Sequence, residues 1–196
     1  DCYVGVDLAA TSDLTAVAYL VVQDGTYHFK THYYLPESAL KDKADKELYK
    51  YWKQQGYLTV TSGNVTDYDY ITTDMLRYAD VVNIQSVGYD KYNATQWAID
   101  STEQGLPLEE YPQTLGNFNM PTRELERLIL SGKAVIDNNE INRYCFRNVT
   151  LKSDYNGNVK PNKAVDKKKI DGTIAMIQAL GMYLRTPHYT NEILTI

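Results

Sequence analysis

Four aspartates stand where a chemistry based on oxygen ligands would need them. Asp7 ends the apolar stretch Tyr3 to Asp7, in GVDLAATSDLTAVAYL. Asp90 follows the apolar run Ile84 to Tyr89, in VGYDKYNATQW. Asp171 opens the apolar segment of KKKIDGTIAMIQALG, and Asp13 lies in the turn after Asp7. Burying a carboxylate is costly unless something positive compensates it. Three acids from distant segments, converging with no His or Cys nearby, repel one another and demand hard cations with oxygen ligands, Mg2+ or Mn2+. Each acid also has an ordinary structural role open to it. Asp7 can satisfy N–H groups of the following turn. Asp90 can cap the helix after it. Asp171 can occupy a first helical turn, where the dipole favours acids. Asp13 reads as a weaker fourth acid, reaching a metal through water or capping the turn before Leu14.

Other chemistries lack their signatures. The pattern G-x-x-x-x-G-K-[ST] is absent, so no P-loop for ATP is expected in this chain. His28, His32 and His188 have no zinc spacing and read as structural or exposed. Cys2 and Cys145 are too few and too far apart for a disulfide framework or a zinc cluster, and read as free thiols. No Ser-His-Asp arrangement is evident.

The elements that must position the acids follow from the spacing of apolar residues. Tyr3 to Asp7 and Leu14 to Val22 read as strands. Asp24-Gly25 is a hairpin turn, and Thr26 to Leu35 alternates Tyr27, Phe29, Thr31 and Tyr33 on one face. The result is a three-stranded antiparallel meander with its first turn at the aspartates. After Pro36 helices and strands alternate. Helices are expected over Leu40 to Gln55, Asp69 to Asn83, Asn93 to Gln104, Thr122 to Leu130 and Ile141 to Asn148, and strands over Tyr57 to Thr61, Ile84 to Tyr89 and Leu108 to Tyr111. Val149 to Lys152 and the turn Asn156-Gly157-Asn158 predict a hairpin, and a last helix runs from Asp171 to Leu184. This order predicts an α/β class, a mixed sheet flanked by helices. In such sheets the carboxyl ends of strands line the ligand crevice, where Asp7 and Asp90 fall. On the last helix Asp171, Ala175 and Gln178 share a stripe, and the small residues Gly172, Ala175 and Ala179 let it lie close to the sheet.

At 196 residues one domain is expected, 1–196, with enough chain for a core. The net charge of −5 hides an asymmetry. Up to Asn119 there are 8 Lys and Arg against 17 Asp and Glu, whereas from Met120 on there are 12 against 8. An acidic first part and a basic last part suit a metal–carboxylate site beside a surface for polyanions. No run approaches the roughly 18 apolar residues of a membrane helix, and no secretory signal opens the chain. The start, one residue before a strand, reads as that of an excised domain with an N-terminal partner domain missing.

The motifs around Asp7 and Asp90, the middle stretch YPQTLGNFNMPTRELERLILSGK and the tail NVTLKSDYNGNVKPNKAVDKKKIDGTIAMIQALG come in the order of one family. Together they resemble the C-terminal nuclease domain of tailed-phage terminase large subunits. The segment K-x-x-x-x-x-K-I-D-G, from Lys163 to Gly172, is the most specific part. The resemblance implies a ribonuclease H-like fold, an antiparallel three-strand meander plus parallel strands. It implies an endodeoxyribonuclease that uses Mg2+ or Mn2+ to cut concatemeric double-stranded DNA during genome packaging in the host cytoplasm. The family's acidic positions fall on Asp7, Asp90 and Asp171. Two ions about 4 Å apart, bridged by Asp7, would divide the work of activating water and stabilising the leaving 3′-oxygen. Lys163, Lys167, Lys168 and Lys169 would neutralise backbone phosphates beside them. The implied partners are DNA, a packaging ATPase domain, the small terminase subunit and the portal, with no membrane.

Three other readings compete. The opening hairpin also resembles the phosphate loop of actin-like and sugar-kinase ATPases, but Ala9 and Ala10 stand where those loops use glycine. A resolvase or transposase-type nuclease would share the fold and the acids. A non-catalytic DNA- or portal-docking domain would not need all three acids.

Overall fold

The computed structural model describes residues 1–187 except 10, 12, 42–44, 93, 166 and 167. Lys167 and Ala10 therefore lie outside the described residues, as do Asn93 and His188.

The opening meander forms as its turn chemistry dictates. Strands β1 (Cys2–Asp7), β2 (Thr15–Gln23) and β3 (Thr26–Pro36) pair antiparallel in sequence order. Asp24 and Gly25 both take positive φ, 51° and 73°. That is the type I′ geometry whose twist matches a two-residue hairpin. Parallel strands then extend the sheet on both sides. β4 (Thr59–Thr61) and β7 (Ala134–Ile136) join β3, β5 (Ile84–Tyr89) joins β1, and β6 (Leu108–Glu110) joins β5. The described sheet runs β4-β3-β2-β1-β5-β6, with β7 also on β3. It is a ribonuclease H-like mixed sheet.

Helices cover both faces. α2 (Tyr68–Ala79) and α3 (Thr95–Glu103) pack on one, over a core containing Val4, Val6, Tyr34, Ile71, Met75 and Trp97. α1 (Lys46–Gln54), α4 (Leu115–Leu130), α5 (Glu140–Asn148) and α6 (Asp171–Arg185) lie on the other. A separate hairpin, β8 (Val149–Ser153) with β9 (Val159–Lys163), bridges α5 to α6. Among the described residues no helix is long and apolar enough to cross a membrane.

α6 is the axis of the molecule, buried along its length from Asp171 to Met182. It lies directly on β1. A Cβ added to Gly5 would run into the backbone of Ala175 and Ala179 and come within 2.8 Å of Gln178 Cβ. Small residues on both partners are thus what the approach requires.

Three expectations need correction. α4 begins at Leu115 and not at Thr122, with Pro121 inside it. A proline lacks the N–H that the carbonyl four residues back would accept; here Asn117 O instead accepts the Tyr111 hydroxyl at 2.7 Å. The helix expected from Leu40 starts at Lys46, and Glu37–Lys41 form a short 3-10 turn before it. β7 was not expected, because three residues carry too little pattern to stand out.

Candidate metal centre

Asp7 and Asp90 are brought together by strand register. β1 and β5 are adjacent and parallel, with Val6 opposite Tyr89, so the two acids emerge side by side at the carboxyl end of the sheet. The N-terminus of α6 delivers Asp171 to the same place, because Gly5 lets the helix lie on β1. Asp7, Asp13, Gln113, Lys163 and Asp171 line one polar cavity of about 420 Å3. Asp90 stands just outside its wall and is tied to it through Gln113.

The ordinary roles open to each acid can now be compared with the bonds made. The turn after Asp7 is closed by Thr15, whose hydroxyl accepts from Ala9 N at 2.9 Å and donates to Ala9 O at 3.2 Å. Among the described residues Asp7 makes no bond to that turn; its Oδ1 accepts from the Gln113 side-chain amide at 2.9 Å. Asp90 does not cap α3, whose N-cap is Ala94. Its Oδ1 accepts from Tyr92 N at 2.9 Å and its Oδ2 from Gln113 N at 2.8 Å. Asp171 does occupy the first turn of α6, yet it is buried and its Oδ2 has no hydrogen-bond partner among the described residues.

The electrostatics follow from this crowding. Burial pushes the Asp7 carboxyl well above the usual carboxylate range; the charge of Asp171 adds to it, while the Gln113 amide and Lys163 oppose it. Burial likewise raises Asp171, against its own helix N–H and the charges of Lys163 and Lys169. The thiol beneath, Cys145, is pushed up to about 12 by burial and then by Asp171, so it is an inert packing group.

The lysines divide. Lys163, the last residue of β9, lines the cavity. Lys168 is exposed, its ammonium 5.6 Å from the Tyr144 ring centre. Lys169 is engaged in an ion pair with Asp13, which therefore has a cation of its own. Lys167 lies outside the described residues.

Sequence reasoning passed over three contributors. Gln113 carried no signal, since a loop glutamine has no periodicity. Lys160 reaches the same place from the hairpin, its ammonium 3.4 Å from Gln113 O. Tyr33 supports the N-terminus of α6 from below, donating to Asn142 Oδ1 at 2.6 Å. Its ring passes so close to Gly172 that a Cβ there would lie 2.7 Å from Tyr33 Cζ. The glycine after Asp171 is thus read as clearance for Tyr33.

Among the described residues no group of three or more His, Cys, Asp or Glu side chains stands at a spacing that could hold a metal ion. The chemistry of the donors nonetheless suits a divalent cation. They are carboxylate oxygens with no nitrogen or sulfur ligand, one of them buried and unpartnered, in a cluster whose burial and mutual repulsion disfavour its charge. Asp7, Asp90 and Asp171 carry the carboxylates that would face such an ion.

Residues 1–186 match the family model described as terminase large subunit, endonuclease domain. The terminase large subunit of Enterobacteria phage HK97 is 28% identical over 184 residues, covering 91% of this chain and 36% of that protein. The crystal structure of the HK97 large terminase superposes with a TM-score of 0.84 at 28% identity, over 92% of this chain and 39% of that one. The chain thus spans between a third and two fifths of these relatives. The large terminase nuclease of thermophilic phage G20c with bound magnesium shares the fold, with a TM-score of 0.61 at 12% identity over 91% of this chain and 79% of that one.

Proposed function

This chain belongs to the endonuclease-domain family of terminase large subunits, and we propose that it is a divalent-metal-dependent endodeoxyribonuclease cutting concatemeric double-stranded DNA during phage genome packaging. The observation that carries the reading is the convergence of Asp7 and Asp171 on one polar cavity, with Asp90 joined to it through Gln113. The bound magnesium of the G20c nuclease supports a divalent ion, Mg2+ or Mn2+, on this fold. A pair of ions is the arrangement that Asp7, between Asp90 and Asp171, suits best. When bound, the ions supply activation of water and stabilisation of charge at the scissile phosphate. The chain's own groups do the rest. Asp7, Asp90 and Asp171 would hold the ions. Lys160 and Lys163, at the cavity, attract the DNA backbone and position a phosphate over the acids. Backbone-directed contacts give weak sequence preference.

The packaging context follows from the family reading: residues 1–196 act as one nuclease domain beside a packaging ATPase domain, a small terminase subunit and a portal, in the host cytoplasm. The test is plasmid cleavage with Mg2+ or Mn2+, beside Asp7→Ala, Asp90→Ala and Asp171→Ala. Near-complete loss in each variant, with folding retained, is expected. Three variants that cut like the parent overturn the site. A parent that leaves plasmid intact with either metal overturns the reading of this chain as a self-sufficient nuclease.

A further inference from the structure

Gln113 touches both strand-end acids with different parts of itself. Its side-chain Nε2 donates to Asp7 Oδ1 at 2.9 Å, and its backbone N donates to Asp90 Oδ2 at 2.8 Å. Its carbonyl faces the Lys160 ammonium at 3.4 Å, which anchors the same loop to the β8–β9 hairpin. One residue thus spans two carboxylates that would otherwise repel each other, and it does so from a loop that neither acid belongs to.

The two bonds differ in what they leave open. Asp90 has both oxygens held by backbone N–H groups, from Tyr92 and Gln113, so its plane is fixed by the main chain. Among the described residues Asp7 is held only on Oδ1. The last torsion of an aspartate is broad and roughly two-fold, so a single carboxylate bond decides which way its plane faces. Asp171 lines the same cavity, and its buried Oδ2 has no hydrogen-bond partner among the described residues. A carboxylate held on one oxygen keeps the other for a cation shared with Asp171.

We propose that Gln113 is a positioning residue of the metal centre: its amide fixes the plane of the Asp7 carboxylate so that the free oxygen, together with Asp171, receives the divalent ion. The inference rests on the metal-dependent reading above. Groups that orient ligands from behind typically change metal affinity by about 10- to 100-fold when removed, and the side chain acts here on Asp7 alone, since the bond to Asp90 comes from the backbone.

The test is Mn2+ titration of the full chain by calorimetry, comparing the parent with Gln113→Met, which keeps the length and loses the N–H, and with Gln113→Ala. Melting of the metal-free proteins shows whether each variant folds; Gln113→Ala serves where Gln113→Met does not. The Mn2+ dissociation constant is expected to rise about 10- to 100-fold, and the Mn2+ concentration that half-saturates plasmid cleavage is expected to rise with it. A folded variant with the parent's Mn2+ affinity overturns the role of Gln113 alone, and tighter binding overturns it too, making the amide a competitor for Asp7. A parent that binds no Mn2+ overturns the underlying metal reading instead.

Discussion

Replacing Gly5 by alanine tests the packing that brings Asp171 to Asp7. The added methyl would collide with the backbone of Ala175 and Ala179 and stand 2.8 Å from Gln178 Cβ. Comfortable contact between carbons begins at about 3.5 Å, so the Gln178 contact alone forces α6 back by at least about 0.7 Å. The backbone collisions demand more, and neither partner can swing aside as a flexible side chain would. Overpacking costs typically about 1–3 kcal/mol; two opposed backbones place Gly5→Ala at the upper end, about 3 kcal/mol. For a chain of this size that lowers the melting temperature by about 6–12 °C. The same retreat carries Asp171 away from Asp7, and a misplacement near 1 Å costs about 100-fold in rate. The assay is differential scanning fluorimetry beside plasmid cleavage at a temperature where the variant stays folded. Gly116→Ala, where an added methyl meets nothing within 4 Å, is the control and should melt and cut like the parent. A Gly5→Ala variant that melts within about 2 °C of the parent and cuts at its rate would refute the contact as the device that assembles the site.

Gly172→Ala should also destabilise, because its methyl meets the Tyr33 ring; paired with Tyr33→Phe, which removes the hydroxyl end of that ring, the loss in thermal melts should be less than the sum of the single losses, and strict additivity would contradict it. Lys160→Ala and Lys163→Ala should each lower the salt slope of DNA binding by about 1, whereas Lys169→Ala, already paired with Asp13, should change it less; equal effects of all three would remove that distinction. Burial holds His32 below its ordinary value of 6.5, with Asp74 opposing. The unfolded chain then binds a proton that the folded chain resists, so stability should fall as pH drops through about 6.5. Urea melts at about pH 7.5 and 5.5 should show that loss, and His32→Gln should reduce it; an unchanged loss would place the effect elsewhere.

Much of the candidate site was legible because its acids sit at element ends. Asp7 and Asp90 each close an apolar run, and strand ends in a mixed sheet converge by geometry alone. Asp171 was legible because a carboxylate at the head of an otherwise apolar helix needs a reason. The meander was legible through Asp24-Gly25, a turn that only a few residue pairs can make. The start of α4 was hidden by Pro121, since the Tyr111 hydroxyl that satisfies the freed carbonyl comes from a different segment. Gln113 was hidden for a similar reason: its importance lies in two bonds across the sheet end, which no local pattern encodes. The lysine run looked uniform in sequence, and only the fold gives Lys169 to Asp13 while leaving Lys168 exposed.

We propose that Asp7, Asp90 and Asp171 hold divalent metal for DNA cleavage. The most direct test is a crystal of this chain soaked in Mn2+, with anomalous diffraction recorded at the manganese edge. Peaks within coordination distance of Asp7, Asp90 and Asp171 oxygens, about 2.1 Å, and their disappearance in Asp171→Ala crystals, are the expected result. Well-diffracting soaked crystals with no anomalous peak at these acids, or with manganese only elsewhere on the surface, would contradict the account.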